Sequence, residues 1–203
     1  PEYNGFKIKA SFGGPATPEM VAAVEADVQP FAAADLPTFG SLEERGVIEG
    51  HDIRAAYLAM LREQLDIDAI VAANIKVAHD AMFGAGQGAI SALLGQDHVV
   101  ELHSTFNPGF MGQAPEPIER NLTELAEVVV REGCAAGLAN DGDADRIGMY
   151  DEQGAFVSSH LLLALLVKYL HKKRGLRGEI VKTFSTSHML DKMGDAYGLP
   201  ITT

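Results

Sequence analysis

The 203-residue chain has no tryptophan, a single cysteine and far fewer basic than acidic residues. One cysteine, Cys134, excludes an internal disulfide and fits a reducing compartment; a small, buried apolar role is expected of it. Lys and Arg number 16 against 28 Asp and Glu, a formal net charge of −12. Nucleic acid and anionic membrane both reward basic side chains, so neither is an expected partner. The longest apolar run, Leu161 to Val167, falls far short of the roughly 20 residues that span a bilayer. The opening residues carry no signal-peptide pattern, which for a fragment says nothing of the parent's targeting; the cytoplasmic location expected rests on composition and cysteine usage. Repeats and low-complexity segments are absent, and the length suffices for one good core or two small ones.

Hydrophobic periodicity gives the organisation. Phe6-Lys7-Ile8-Lys9 reads as a strand-like opening. A helix is expected from about Pro18 to Val28, capped by Thr17, with Met20, Val21, Val24 and Val28 on one stripe. Pro37, Gly40, Gly46 and Gly50 mark residues 36 to 50 as loop or linker. Ile53, Tyr57, Leu61 and Leu65 recur at fours and predict an amphipathic helix over 51–65. From about 67 to 173 strand and helix signals alternate. Ile70–Ala73, Ile75–Ala78, Val99–Leu102, Cys134–Ala139 and Ile147–Tyr150 are β-prone, whereas 88–94, 121–132 and 159–173 read as helices. Asn121, with Glu124 three residues on, is the expected cap of the second of these helices. The alternation predicts an α/β fold, a mixed or parallel-rich sheet covered by helices.

The chemistry concentrates in Asp141-Gly142-Asp143-Ala144-Asp145-Arg146. Three carboxylates stand at alternate positions, and the small residues between them allow a tight turn that aims all three at one point. Such charge density is costly without a cation, and a hard, oxygen-preferring divalent ion, Mg²⁺ above all, meets the need. Arg146 adds a planar cation suited to paired phosphate oxygens. A plain solvated turn needs one or two such residues, not three in register before an Arg. A calcium hand also places carboxylates at loop positions one, three, five and twelve. It fails at position six, where Gly is required and Arg146 stands, and its flanking helices are replaced by strand-like runs.

A second motif, Gly84-Ala85-Gly86-Gln87-Gly88-Ala89, matches G-x-G-x-x-A, the dinucleotide fingerprint. The expected acidic partner is represented only by Glu101, inside a strand pattern. A tight strand-to-helix turn that permits close packing is the favoured reading, with a dinucleotide-binding oxidoreductase as the alternative from another class.

The loop and its flanks resemble the metal loop of the α-D-phosphohexomutases, the phosphoglucomutases and phosphomannomutases. Tyr3-Asn4-Gly5-Phe6-Lys7-Ile8 is similar to the family's YNGFKI segment. Phe110 to Pro117 with Asn121-Leu122 resembles its FGG-x-x-PEP…NL stretch, and Lys182 to Asp191 resembles KT-x-ST-x-H-M-[IL]-D. Asn140 and Met111 stand where the family often has Thr and Gly. The resemblance runs from residue 1 to 203 and implies residues 1–50 as the end of a first domain, 51–175 as domain II, and 176–203 as the start of domain III. It also implies an internal fragment lacking the phosphoserine loop, the sugar-selecting loop and the C-terminal domains, and inactive by itself.

For the parent protein the resemblance implies an intramolecular phosphotransferase. A phosphoserine would exchange a phosphoryl group with a hexose phosphate through a bisphosphate intermediate, such as glucose 1,6-bisphosphate. Asp141, Asp143 and Asp145 would hold Mg²⁺; Lys7 and Arg146 would be catalytic; Asp145, Arg146 and Lys182 would contact the phosphosugar. Signatures closest to the bacterial phosphoglucomutase branch put glucose phosphate first, with mannose and glucosamine phosphates as alternatives. The six histidines other than His188 lack metal-ligand spacing and are expected to be structural or exposed. Oligomeric state has no signal in the sequence.

Overall fold

The structure is a computed structural model that describes residues 7–29 and 36–203. Tyr3 to Phe6 of the opening motif therefore lie outside the described residues. The chain falls into two compact units, Pro1–His51 and Asp52–Thr203.

In the first unit, helix α1 (Pro18–Asp27) begins where expected: the Thr17 hydroxyl accepts from the Met20 amide, and Pro18 occupies the first turn, where its missing N–H costs nothing. Met20, Val24 and Val28 of its apolar stripe are exposed, Val28 just beyond its end being 64% accessible, and Val21 is half-buried. The segment read as loop over 36–50 contains a short helix, α2 (Phe39–Glu44). Its cap explains the difference, because Thr38 accepts from the Ser41 amide and nucleates a turn despite Gly40. Lys7 lies in no strand; the local pairing is a single bridge between Lys9 and Pro15.

The second unit opens with α3 (Ile53–Gln64), capped by Asp52. Next comes α4 (Ile67–Ala72), a correction to the strand expected at Ile70–Ala73. A short apolar run is compatible with either state, and here the Asp66 carboxylate accepts from the Ala69 amide and decides for helix. Strands β1 (Val77–Asp80), β2 (Val99–Leu102), β3 (Ala136–Asn140), β4 (Ile147–Asp151) and β5 (Phe156–Val157) form one sheet in the order β2-β1-β3-β4-β5. The first three are parallel, and β4 and β5 add on antiparallel.

Helix α5 (Ala89–Leu94) links β1 to β2, and α6 (Thr123–Glu132) links β2 to β3. α6 supplies the core: Leu125, Val128 and Val129 pack with Ala78, Leu102, Ala139 and Tyr150. Cys134 belongs to this cluster and is fully buried, as its small apolar character requires. Asn121 does not cap α6. Leu122 holds that position without a side-chain bond, and the Asn121 amide instead donates to the Glu116 carbonyl at 3.0 Å, pinning the Pro115–Pro117 turn.

Helix α7 (Ser159–Lys172) follows, then a two-stranded parallel pair, β6 (Ile180–Val181) and β7 (Ile201–Thr202), around α8 (Met189–Tyr197). Among the described residues no helix is long and apolar enough to cross a membrane.

The order 2-1-3 means the chain leaves β1 for one neighbour and later returns to its other side. Crevices at the carboxyl ends of such strands are where α/β sheets gather ligand groups. The β1 end carries the glycine turn and the β3 end carries the aspartate loop.

Candidate metal centre

Residues 141–146 connect β3 to β4, and their shape is set by Asp141. This side chain is fully buried. Its Oδ1 accepts from the backbone amides of Asp145 and Arg146, both at 2.9 Å, and its Oδ2 accepts from Arg146 Nε at 2.7 Å. Ala144 takes a left-handed backbone conformation, φ 61°, and its amide closes a turn on the Asp141 carbonyl. Gly142 serves for room: a Cβ there would come within 3.1 Å of Pro115. The loop thus folds around its own first carboxylate, leaving Asp143 and Asp145 exposed above it.

The three carboxylates converge. One oxygen from each of Asp141, Asp143 and Asp145 lies within 4.8 Å of the others. An octahedral hard cation with bonds of about 2.1 Å sets neighbouring oxygens about 3 Å apart and opposite ones about 4 Å apart. The exposed Asp143 and Asp145 can cover that difference by side-chain rotation. A carboxylate offers about four acceptor positions, and the three bonds to Asp141 leave one for an ion. The all-oxygen donor set suits Mg²⁺.

Burial alone would raise the Asp141 pKa, but the Arg146 backbone and side-chain bonds outweigh it and hold the carboxyl at about 2. Because the folded value lies below the ordinary 3.8, the stabilisation is present above pH 4 and is lost as pH falls through about 2. A shift of this size corresponds to roughly 2 kcal/mol. Acid titration of the metal-free chain, followed at the Asp141 side-chain carboxyl carbon, should therefore give a midpoint near 2; a midpoint near 4 at that carbon would contradict the assignment.

Arg146 hydrogen-bonds through Nε, and its side chain is 61% exposed. Its bond to Asp141 raises its own pKa, so it stays fully charged. Lys182 is elsewhere in the second unit: its Nζ pairs with Asp191 at 3.2 Å, and His188 shares the same carboxylate at 3.0 Å. Lys7 is exposed and belongs to the first unit.

The glycine turn has a different partner from the dinucleotide its pattern suggests. Gly84 packs directly on the aspartate loop, and the Ala85 amide donates to the Gly142 carbonyl at 3.0 Å. The turn is a cradle for the loop. Sequence reasoning did not anticipate the polar groups beneath it. His79 and Asp80 end β1 and are 1% exposed. Asp80 accepts from the Met82 amide and pairs with His103; His79 Nε2 meets Asn140 Oδ1 at 3.0 Å. The one available signal was two polar residues closing an otherwise apolar strand.

Residues 55–154 match the family described as Phosphoglucomutase/phosphomannomutase, alpha/beta/alpha domain II. A Thermococcus kodakarensis protein named "Phosphoglucomutase/phosphomannomutase" is 31% identical over 203 residues, 99% of this chain and 43% of that protein. A Thermococcus gammatolerans protein named "Probable phosphoglucosamine mutase" is 32% identical over 194 residues, covering 94% of this chain and 41% of its own length. Among solved structures, one described as a "putative phosphomannomutase from Thermus Thermophilus" superposes with a TM-score of 0.77 at 33% identity, over 94% of this chain and 43% of that one. The chain thus spans less than half the length of these relatives.

Proposed function

Residues 55–154 belong to the phosphoglucomutase/phosphomannomutase family as its domain II, and from that premise we propose that the intact protein is a Mg²⁺-dependent phosphohexose mutase. It would interconvert hexose 1-phosphate and hexose 6-phosphate through a phosphoserine and a bisphosphate. The observation that carries this reading is the convergence of Asp141, Asp143 and Asp145 at the carboxyl end of β3. Residues 1–50, 51–175 and 176–203 would be the end of domain I, domain II and the start of domain III.

Phosphoryl transfer is governed by charge neutralisation and in-line positioning. A divalent ion held by the three aspartates would supply Lewis-acid stabilisation of the charge that develops. The chain's own residues supply the rest. Asp141 would fix the loop; Arg146, tethered through Nε and with its side chain largely exposed, would present its Nη groups to the phosphate as a fork. Lys7 would exchange a proton with the sugar hydroxyl. Lys182 would contact substrate by exchanging its Asp191 partner for a phosphate oxygen.

Glucose phosphate is the proposed first substrate, on the DGDADR, YNGFKI and HML signatures. The names borne by the relatives keep mannose and glucosamine phosphates as the alternatives. The test is turnover of the intact protein on glucose, mannose and glucosamine 1-phosphates, with Mg²⁺ and after chelation. Glucose 1-phosphate should give the highest kcat/KM, and chelation should remove at least about 99% of the rate. Turnover indifferent to chelation would overturn the metal-dependent reading.

A further inference from the structure

We infer that Asn140, held in place by the buried His79, is a positioning residue that sets the aspartate loop in its ion-binding shape. This deepens the proposed function and rests on it. Asn140 ends β3, immediately before the first aspartate. Its Nδ2 donates to the Arg146 carbonyl at 3.2 Å, across the mouth of the loop. Its Oδ1 accepts from His79 Nε2 at 3.0 Å, from the neighbouring strand β1.

Direction is fixed by chemistry. A carbonyl can only accept, so the amide nitrogen of Asn140 faces Arg146 and its oxygen faces His79, which must carry its proton on Nε2. The residue so anchored is the one that matters: the Arg146 N–H bonds Asp141 Oδ1, and the Arg146 Nε bonds Asp141 Oδ2. An unbroken chain of hydrogen bonds therefore runs from the sheet interior through His79, Asn140 and Arg146 to the buried ligand carboxylate.

His79 itself is 1% exposed, and among the described residues its Nδ1 has no hydrogen-bond partner. Glu101 Oε1 approaches to 3.8 Å, too far for a direct bond, and is occupied by Ser91 at 2.8 Å. An imidazole buried with one nitrogen unsatisfied is costly when packing is its only return. Its side chain's one hydrogen bond among the described residues is to Asn140, which puts its role there. Gly86 leaves room on the other side: a Cβ added at that position would lie 3.3 Å from Asn140 Oδ1 and crowd the amide.

Outer partners that orient metal ligands are worth about 10–100-fold in affinity. The test measures Mn²⁺ dissociation constants by electron paramagnetic resonance, together with kcat and KM, in the intact protein. Asn140→Ala and His79→Leu should each weaken Mn²⁺ at least about tenfold and lower kcat without a comparable change in KM. His79→Gln, whose amide can still donate to Asn140, should recover most of the affinity. Val129→Ala, a core truncation that removes none of the network's hydrogen bonds, should lower thermal stability and leave the Mn²⁺ constant unchanged. If the wild type binds Mn²⁺ but Asn140→Ala and His79→Leu change only stability, as Val129→Ala does, the positioning role is overturned alone. A wild type that binds no Mn²⁺ overturns the metal reading and this inference together.

Discussion

Replacing Asp143 with asparagine should lower turnover of the intact protein at least about 100-fold while leaving its melting temperature within about 1 °C. The two halves of that result follow from one geometry. Asp143 is exposed, and the bonds that fold the loop around the Asp141 carboxylate come from Asp145 and Arg146, so the fold should survive its loss. Removing one of three clustered negative charges even relieves repulsion in the metal-free state. In the proposed metal-loaded state, however, it would delete one of three ligands. Lewis-acid stabilisation of phosphoryl transfer is worth several kcal/mol, which converts to two or more powers of ten in rate. Asp141→Asn should behave differently: its carboxylate holds the loop through three hydrogen bonds, so rate and stability should fall together. Steady-state kinetics with parallel calorimetry separates the two patterns. Full activity in Asp143→Asn would remove that carboxylate from the metal set.

The second large effect is expected at Gly84. A Cβ added there would lie 2.7 Å from the Gly142 carbonyl oxygen, 2.8 Å from that of Asp141 and 2.8 Å from the Gly142 Cα. All three are backbone atoms, which cannot swing aside as a side chain can, so the aspartate loop itself must move. Overpacking of this kind costs about 1–3 kcal/mol, a fall of several degrees in Tm at this chain length. Displacing the loop should also weaken Mn²⁺ binding at least about tenfold. Gly40→Ala is the control, since a Cβ there meets nothing within 4 Å and should cost no stability. A Gly84→Ala protein with unaltered metal affinity and stability would show that turn and loop are independent. Were the turn a dinucleotide site, wild-type protein would bind NADH tightly and Gly84→Ala would abolish that binding without touching the metal.

Much of this was readable in the sequence, for physical reasons that can be stated. Three carboxylates at alternate positions with small residues between them predict a tight converging turn, and one oxygen from each does lie within 4.8 Å of the others. The helix at Pro18 was equally plain, since Thr17 and Pro18 are local signals acting over three residues. Ile70–Ala73 was ambiguous because four apolar residues fit a strand or a helix, and the decision came from Asp66, outside the run. The support beneath the loop was not legible at all. His79 and Asn140 are 61 residues apart and meet only because β1 and β3 are parallel neighbours. Met111 carries a similar lesson. It stands where the family often has Gly, and its backbone takes a left-handed φ of 55°, a conformation that local sequence would never assign to methionine.

The most direct measurement is anomalous diffraction from crystals of the intact protein grown with Mn²⁺. One peak should lie within about 2.2 Å of an oxygen from each of Asp141, Asp143 and Asp145, with Arg146 Nε still on Asp141. Strong Mn²⁺ peaks elsewhere, with these three carboxylates turned apart into solvent, would contradict the account.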